Sequence, residues 1–267
     1  MTQANIVVPS NQIIHGDCVE VMDNQMPPDC VDLVITSPPY DDLRTYGGYK
    51  FDYAETARAL YRVMKPGGVV IWVVGDGVKK GGETGSSFRH ALKFQEIGFL
   101  IHDTMIYEKN TTSFPARRDG NRYSQMFEFM FCFSKGKPKT ANLICDKENK
   151  WAGHTNWGVK TDRQKDGTLK VKNDIKPVPK FSPRGNIWRY VVGGGFGQSD
   201  KEAYDHGATF PEKLVEDHIK TWSEAGDLVF DPMVGSGTTC LVAKSLDRLW
   251  LGCDSNEEYV KLSKKRL

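Results

Sequence analysis

The stretch from Asp227 to Asp254 constrains the fold more than any other part of this 267-residue chain. Leu228-Val-Phe-Asp231 reads as a short strand, and Pro232-Met-Val-Gly235-Ser-Gly237 turns sharply out of it. Gly235 and Gly237 carry no Cβ, so the backbone can bend tightly there and lie close against a ligand. A helix is predicted from about Thr238 to Leu246, followed by a second strand, Leu249-Trp-Leu-Gly-Cys253, that ends in Asp254. An acid at a strand end about 20 residues past a glycine turn is placed to grip a ribose hydroxyl pair in nucleoside-binding α/β folds. No Gly-Lys-Ser/Thr follows the glycines, which argues against a Walker phosphate loop.

A second constraint lies nearly two hundred residues earlier. Val31-Asp-Leu-Val-Ile35 reads as a short buried strand, and Thr36-Ser37-Pro38-Pro39-Tyr40 follows it directly. Each proline fixes its own φ and donates no backbone hydrogen bond, so the strand ends there in a stiff, extended loop. The loop carries one hydroxyl, carbonyls without a competing N–H, and an aromatic ring. Those parts hold a flat molecule by an edge amine while stacking on its face. Taken alone, the same residues also describe an ordinary strand-terminating turn.

Together, Ser-Pro-Pro-Tyr at 37–40 and Asp-Pro-Met-Val-Gly-Ser-Gly-Thr-Thr at 231–239 resemble the DNA amino-methyltransferases. These enzymes move a methyl group from S-adenosylmethionine to an exocyclic amine of cytosine or adenine. The catalytic loop comes first and the cofactor turn near the C-terminus, an order that resembles the permuted class called beta. The resemblance covers nearly the whole chain except roughly residues 137–185. It implies an α/β fold: a doubly wound, mostly parallel twisted sheet of the Rossmann-like methyltransferase type, with a small basic target-recognition insertion. Residues 1–135 would form the catalytic half, 136–185 the insertion, and 186–267 the cofactor-binding half of the same domain.

The resemblance also implies roles. Ser37, Pro38, Pro39 and Tyr40 would form the catalytic loop. Asp231, Pro232, Gly235, Ser236, Gly237, Thr238, Thr239 and Asp254 would face S-adenosylmethionine. A Gly-Asp at the position of Asp17 sits beside the cofactor's adenine in the family, although Asp17 reads equally well as a helix N-cap. His206-Gly-Ala-Thr-Phe210-Pro211 is similar to a cofactor-facing segment that commonly reads His-Pro-Ala. Gly207 departs from that pattern and leaves the role of His206 open, while Phe210 and Pro211 match.

The chemistry is amine methylation. A cytosine amine is a poor nucleophile because its lone pair is delocalised into the ring. Acceptors on its hydrogens favour the pyramidal form, and Ser37 Oγ and the Pro38 carbonyl are the candidates. Tyr40 would stack on a base flipped out of the helix. Methylation of a ring carbon needs a thiolate, and the chain has no Pro-Cys motif. Serine at the first motif position goes with N4-cytosine in the family and Asp or Asn with N6-adenine. Ser37 therefore favours cytosine, with N6-adenine as the alternative. A catalytically silent DNA-binding relative and a small-molecule methyltransferase are the readings from other classes, and the second has little use for Ser-Pro-Pro-Tyr.

Composition is ordinary for a globular protein, with 39% hydrophobic and 26% charged residues. No apolar run has the eighteen or so residues of a membrane span, and the N-terminus lacks signal-peptide character. Six scattered cysteines without a Cys-x-x-Cys pair argue against a metal site or a disulfide framework. The expectation is a cytoplasmic enzyme of bacterial, archaeal or phage origin, with a cognate restriction endonuclease as companion where it belongs to such a pair. Monomer and homodimer are both open.

Net charge is only +2, yet Lys135–Arg184 holds thirteen Lys/Arg against five Asp/Glu, a local balance of +8. On a DNA enzyme that asymmetry marks the phosphate-facing side of double-stranded DNA. Candidate DNA contacts are Arg44, Tyr46 and Tyr49 in a glycine-rich loop, Arg117 and Arg118 in a second loop, and Lys160, Arg163, Lys180 and Arg184 in the insertion.

Between these landmarks the periodicity predicts a strand, turn and helix over 12–22, a helix over 53–64 stopped by Lys65-Pro-Gly-Gly68, and a strand over Val69–Val74 with parallel neighbours. Asp76, past its end, would face the cleft. A helix over 87–97 and strands over 100–108 and 127–133 follow, the last two expected as an antiparallel edge pair. Residues 186–190 return to the core, Gly193–Gly197 form a hinge, and Pro211 stands early in a helix.

Overall fold

The computed structural model describes residues 7–39, 51–110, 123–155, 161–171, 176–191 and 211–267. Its main elements are β1 (Gln12–His15), α1 (Cys18–Gln25), β2 (Val31–Thr36), α2 (Tyr53–Val63), β3 (Met64–Val74), α3 (Ser86–Ile97), β4 (Leu100–Lys109), β5 (Phe127–Ser134), β6 (Ile187–Tyr190), α4 (Glu212–Trp222), β7 (Leu228–Asp231), α5 (Thr238–Ser245), β8 (Leu249–Asp254) and α6 (Glu257–Arg266). The eight strands form one sheet in the order β1-β8-β7-β2-β3-β5-β4-β6. Every neighbouring pair is parallel except the two made by β5, which runs against both β3 and β4. The C-terminal ends of the seven co-directional strands therefore share one edge.

Chain direction across the sheet reverses between β2 and β7. From β2 the chain moves outward to β3, whereas from β7 it moves the other way to β8. Neighbouring parallel strands that diverge in this way leave a crevice beyond their carboxyl ends, the usual ligand position in open α/β sheets. Ser37 follows β2 and Pro232 follows β7, so the two sequence motifs meet at that point.

Apolar residues hold the sheet on both faces. Val34, Val70, Trp72, Val74, Phe230, Leu251 and Cys253 pack with Met22, Leu60 and Phe94 of α1–α3. The alternate residues Leu33, Ile35, Val69, Ile71, Val73 and Val229 are equally buried, and strand alternation turns them to the face covered by α4 and α5. A ladder of Phe129, Phe131 and Phe133 runs along β5 with ring centroids 5.3 and 5.7 Å apart, and Phe94 stacks on Phe133 at 4.3 Å.

Three expectations change. Val69–Val74 has a parallel neighbour on one side only, because β5 pairs antiparallel with its other edge. The antiparallel pair β4–β5 is not the sheet edge: β6 adds parallel to β4 and closes that side. Lys65-Pro-Gly-Gly68 does not form a turn after α2. Met64 caps the helix and begins β3, and these four residues become the irregular start of the strand, where the register with β2 shifts. Gly67 takes φ +81°, and a Cβ there would come 3.0 Å from the Lys139 backbone nitrogen, so a side chain is excluded.

The same region spends part of the basic run. Lys139 Nζ bonds Asp32 Oδ1 at 2.6 Å and Asp227 Oδ1 at 2.9 Å, and Lys65 Nζ bonds Asp32 Oδ2 at 2.7 Å. Lys135 Nζ bonds Asp29 Oδ1 and the carbonyls of Tyr61 and Met64. Burial pushes the Asp32 carboxyl up, but the two ammonium groups and the Leu228 N–H outweigh it and hold it below the ordinary carboxylate range. Lys135 and Lys139 thus anchor the far end of the sheet.

The chain divides into two compact units, Leu143–Gly185 and the remainder, so residues 136–142 belong with the sheet. The small unit contains two short antiparallel pairs, Lys147–Glu148 with Phe181–Ser182 and Thr161–Arg163 with Leu169–Val171. Within it Asn149 Nδ2 bonds Ser182 Oγ and the Pro179 carbonyl, and Arg184 Nε bonds Asp146 Oδ2 at 2.8 Å. All six residues of the 161–171 ribbon's strands are exposed. Among the described residues no helix is long and apolar enough to cross a membrane.

Candidate active site

Thr36, the last residue of β2, is fully buried and points its hydroxyl across to β7, donating to Asp231 Oδ1 at 2.7 Å. The neighbouring strands are in register through Val229–Leu33 and Phe230–Val34, which brings the two chain ends level. Thr239, in the first turn of α5, donates its Oγ1 proton to the Ile35 carbonyl at 3.2 Å and lies near the Asp231 carboxyl. Asp231 Oδ1 further accepts the Met233 N–H at 3.1 Å. The Ser-Pro-Pro loop and the glycine turn are therefore stapled together beneath the crevice. Ser37 and Pro39 are partly exposed beyond this staple, and Pro38 is buried.

Asp231, a residue that the family resemblance places toward the cofactor, directs its carboxyl to Thr36. Its side chain is turned into the protein and 2% exposed, and it serves as the shared acceptor of the staple. Burial pushes its carboxyl up to about 6, against the pull of Thr36, Thr239 and the Met233 N–H. A folded-state value above the unfolded one means that the native state holds the extra proton between pH about 4 and 6. Stability from this group is full below that window and is lost as pH rises through it. Relative to Asp231→Asn, the parent should lose up to about 3 kcal/mol between pH 4 and 7. Denaturant unfolding of both proteins across that range measures it, and a difference that stays constant with pH would refute it.

The glycine turn is shaped by what packs behind it. Gly237 takes φ +86° as the residue before α5, and a Cβ there would meet Ser263 Cβ at 2.9 Å, so α6 lies hard against the turn. Gly235 also takes positive φ, and its N–H donates to Asp254 Oδ2 at 2.9 Å. Asp254 Oδ1 accepts the Asn256 N–H at 2.9 Å. Burial raises this carboxyl, with the Asn256 and Gly235 N–H groups and nearby His15 opposing it. Ser236 and Thr238 are buried with their hydroxyls 3.2 Å apart. Pro232 is buried after β7.

β1 and β8 are parallel neighbours with His15 opposite Asp254, so Asp17 and Asp254 leave adjacent strand ends. Asp17 Oδ1 accepts the Val19 and Glu20 N–H groups at 2.8 and 3.1 Å and caps α1. The capping reading of Asp17 is thus realised at the edge where a nucleoside would lie. Pro211 stands immediately before α4 as its N-cap and not within the helix. Asp76 accepts the Ser87 N–H at 3.0 Å and the Ser87 hydroxyl, and so holds the start of α3.

Burial pushes the Cys18 thiol up to about 12 and Cys30 to about 11, and raises Cys132, Cys240 and Cys253. Cys145 is exposed in the small unit. These five buried thiols are poor nucleophiles at neutral pH. Among the described residues no cluster suits a metal ion. Arg163 and Lys180 lie in the small unit, Lys180 Nζ 5.3 Å from the Phe181 ring centroid. Tyr40, Arg44, Tyr46, Tyr49, Arg117, Arg118, Lys160, His206 and Phe210 lie outside the described residues.

Sequence reasoning missed two residues that the site uses. Thr36 stands at the head of the Ser-Pro-Pro loop, and its role is hidden in the sequence because its partner is 195 residues away. Arg266 sits in a basic helix that looks like a solvated face, yet its side chain is 1% exposed and reaches the glycine turn.

Comparison with known proteins places these features in context. Residues 31–265 match the family of N6/N4 methyltransferases described as DNA methylase. The chain is 53% identical over 240 residues to the orphan methyltransferase M.BamHII of Bacillus amyloliquefaciens, covering 90% of this chain and 89% of that protein. Its structure is similar to that of PvuII DNA methyltransferase (cytosine-N4-specific), with TM-score 0.68 and 22% identity over 98% of this chain and 87% of the other. It is also similar to M1.HpyAVI in its complex with SAM, with TM-score 0.62 and 24% identity over 96% and 99% of the two chains.

Proposed function

The chain belongs to the N6/N4 DNA methylase family, and from that premise we propose that it methylates the N4 amine of cytosine in double-stranded DNA, using S-adenosylmethionine. The observation that carries this reading is the junction of Ser37 with the glycine turn at the switch point, fixed by the Thr36–Asp231 and Thr239–Ile35 hydrogen bonds. The residues present fit the cofactor. Asp17 and Asp254 leave adjacent parallel strands, and a turn with two positive-φ glycines lets backbone approach a ligand closely. Asp254 would hold the ribose hydroxyls, since each carboxylate oxygen that accepts a backbone N–H keeps a further lone pair. When bound, the cofactor supplies an electrophilic methyl group on a sulfonium.

Ser37 Oγ accepts one hydrogen of the target amine and the Pro38 carbonyl the other, which frees the nitrogen lone pair to point at the methyl group. The proton lost from nitrogen passes to solvent. Tyr40 stacks on the flipped base. Acceleration comes from orientation and from placed acceptors, with no covalent enzyme step. The raised cysteine thiols are consistent with amine rather than ring-carbon chemistry. PvuII methyltransferase, similar in fold, is named as cytosine-N4-specific, and Ser37 favours the same target here.

The small unit, with ten Lys/Arg against five Asp/Glu between residues 143 and 185, is the proposed recognition region. Its lysines and arginines would contact phosphates, and a few polar side chains would read base edges.

Purified protein, DNA of varied sequence and labelled S-adenosylmethionine, followed by nucleoside mass spectrometry, test the reading. N4-methylcytosine is the expected product. N6-methyladenine would overturn the cytosine assignment, and no methylated base would overturn the activity.

A further inference from the structure

Arg266 is the last residue of α6, and its guanidinium has almost no access to solvent, with the side chain 1% exposed. A buried cation is costly unless its donors are satisfied. Here Nη1 donates to the Ser236 carbonyl at 2.6 Å and lies 3.3 Å from Thr238 Oγ1, while Nη2 stands 3.5 Å from Glu212 Oε1. Two separate pieces of chain meet at one planar group: the glycine turn running into α5, and the first residue of α4. Glu212 directly follows Pro211, so both segments expected to face the cofactor are tied to the same guanidinium.

The contact is specific in kind. The Ser236 carbonyl sits between the two positive-φ glycines, where side chains supply no rigidity, and α5 has no side-chain N-cap of its own. Holding that carbonyl from behind, while the Gly237 N–H of the same peptide donates to the Val234 carbonyl at 2.8 Å, fixes the peptide plane and so the course of the turn between the two glycines. Gly237 allows α6 to come close enough for this, since Ser263 occupies the space its Cβ would need. The fork of an arginine matches three acceptors at once; a lysine ammonium is a point charge on a flexible stem and cannot.

We infer that Arg266 is a positioning residue for cofactor binding, setting the glycine turn against the start of α4 from outside the site. It touches no reacting atom. The inference rests on the glycine turn being the S-adenosylmethionine site, and the parent protein tests that first: a parent that binds no S-adenosylmethionine sinks the site rather than the role of Arg266.

The experiment is titration calorimetry of S-adenosylmethionine into the full-length parent, Arg266→Lys, Arg266→Gln and Arg266→Ala, with thermal unfolding of each without ligand. The expected result is a loss of affinity of about tenfold or more in Ala and Gln, with partial recovery in Lys. The KM for S-adenosylmethionine should rise in parallel, while kcat at saturating cofactor and the KM for DNA stay within about twofold of the parent. A merely structural role predicts a lower unfolding temperature with unchanged affinity, and that outcome overturns the inference. So does a kcat loss with affinity intact. Should Arg266→Ala not fold, the Lys and Gln pair decides the matter, because parental affinity in both would deny any need for the guanidinium fork.

Discussion

Replacing Ser37 by alanine is expected to lower kcat by about two to three orders of magnitude, with the affinity for S-adenosylmethionine within about twofold of the parent. The size follows from what the hydroxyl does. In the proposed mechanism it would accept an amine hydrogen at the moment the nitrogen lone pair must leave conjugation with the ring. An interaction made mainly in the transition state appears in kcat rather than in binding. Some activity should survive, since the Pro38 carbonyl is a backbone group that mutation does not remove. The glycine turn is tied to β2 through the Thr36–Asp231 and Thr239–Ile35 hydrogen bonds, and neither is made by the Ser37 side chain. Single-turnover methylation with labelled cofactor reads the chemical step and calorimetry reads binding. An alanine variant with parental kcat would remove Ser37 from the mechanism.

The sequence made the order of chemistry-bearing elements legible because each is locally encoded. Two prolines after an apolar run must end β2, and a strand, a glycine turn and a helix must follow one another at 228–245. Strand neighbours were less legible. Val69–Val74 is apolar on every residue, and such a run reports burial on both faces without recording the direction of either partner. Lys65-Pro-Gly-Gly68 carries every local signal of a turn. Tertiary pairing of Leu33 with Val69 and of Gly67 with Lys135 overrides those signals and draws the segment into the strand.

Charge was misleading for the same reason. Lys135 and Lys139 add to the basic run, but their partners, Asp29, Asp32 and Asp227, lie 88 to 107 residues away. Asp231 stands inside a cofactor-type motif and reads as a ligand group. Only the packed structure reveals that its carboxylate faces Thr36. Arg266 is the converse case, a terminal basic residue that reads as solvated and is among the most enclosed cations of the fold. In each instance the residue type was visible and its partner was not.

Replacing Asp254 should affect the cofactor most. Asp254→Ala is expected to weaken S-adenosylmethionine binding by about a hundredfold or more, because hydrogen bonds to a charged acceptor contribute about 1.5–3 kcal/mol each and a ribose offers two hydroxyls. Part of the loss would be indirect, since the Gly235 N–H also bonds this carboxylate at 2.9 Å. Asp254→Asn separates the two effects: the amide oxygen can still accept from Gly235 while the charge and one acceptor are gone. Affinity in the Asn variant should fall between parent and Ala.

The titration of Asp254 gives a second, independent readout. Burial raises its carboxyl above the ordinary value, and the ionised form is the better acceptor for ribose hydroxyls. Parent affinity should therefore decline as pH falls through that raised value, whereas Asp254→Asn should show no such decline from this group. Calorimetry of both proteins over the acid range measures the difference. Parallel pH profiles in parent and Asn variant would mean that the ribose is held elsewhere, leaving Asp254 as a brace for Gly235 alone.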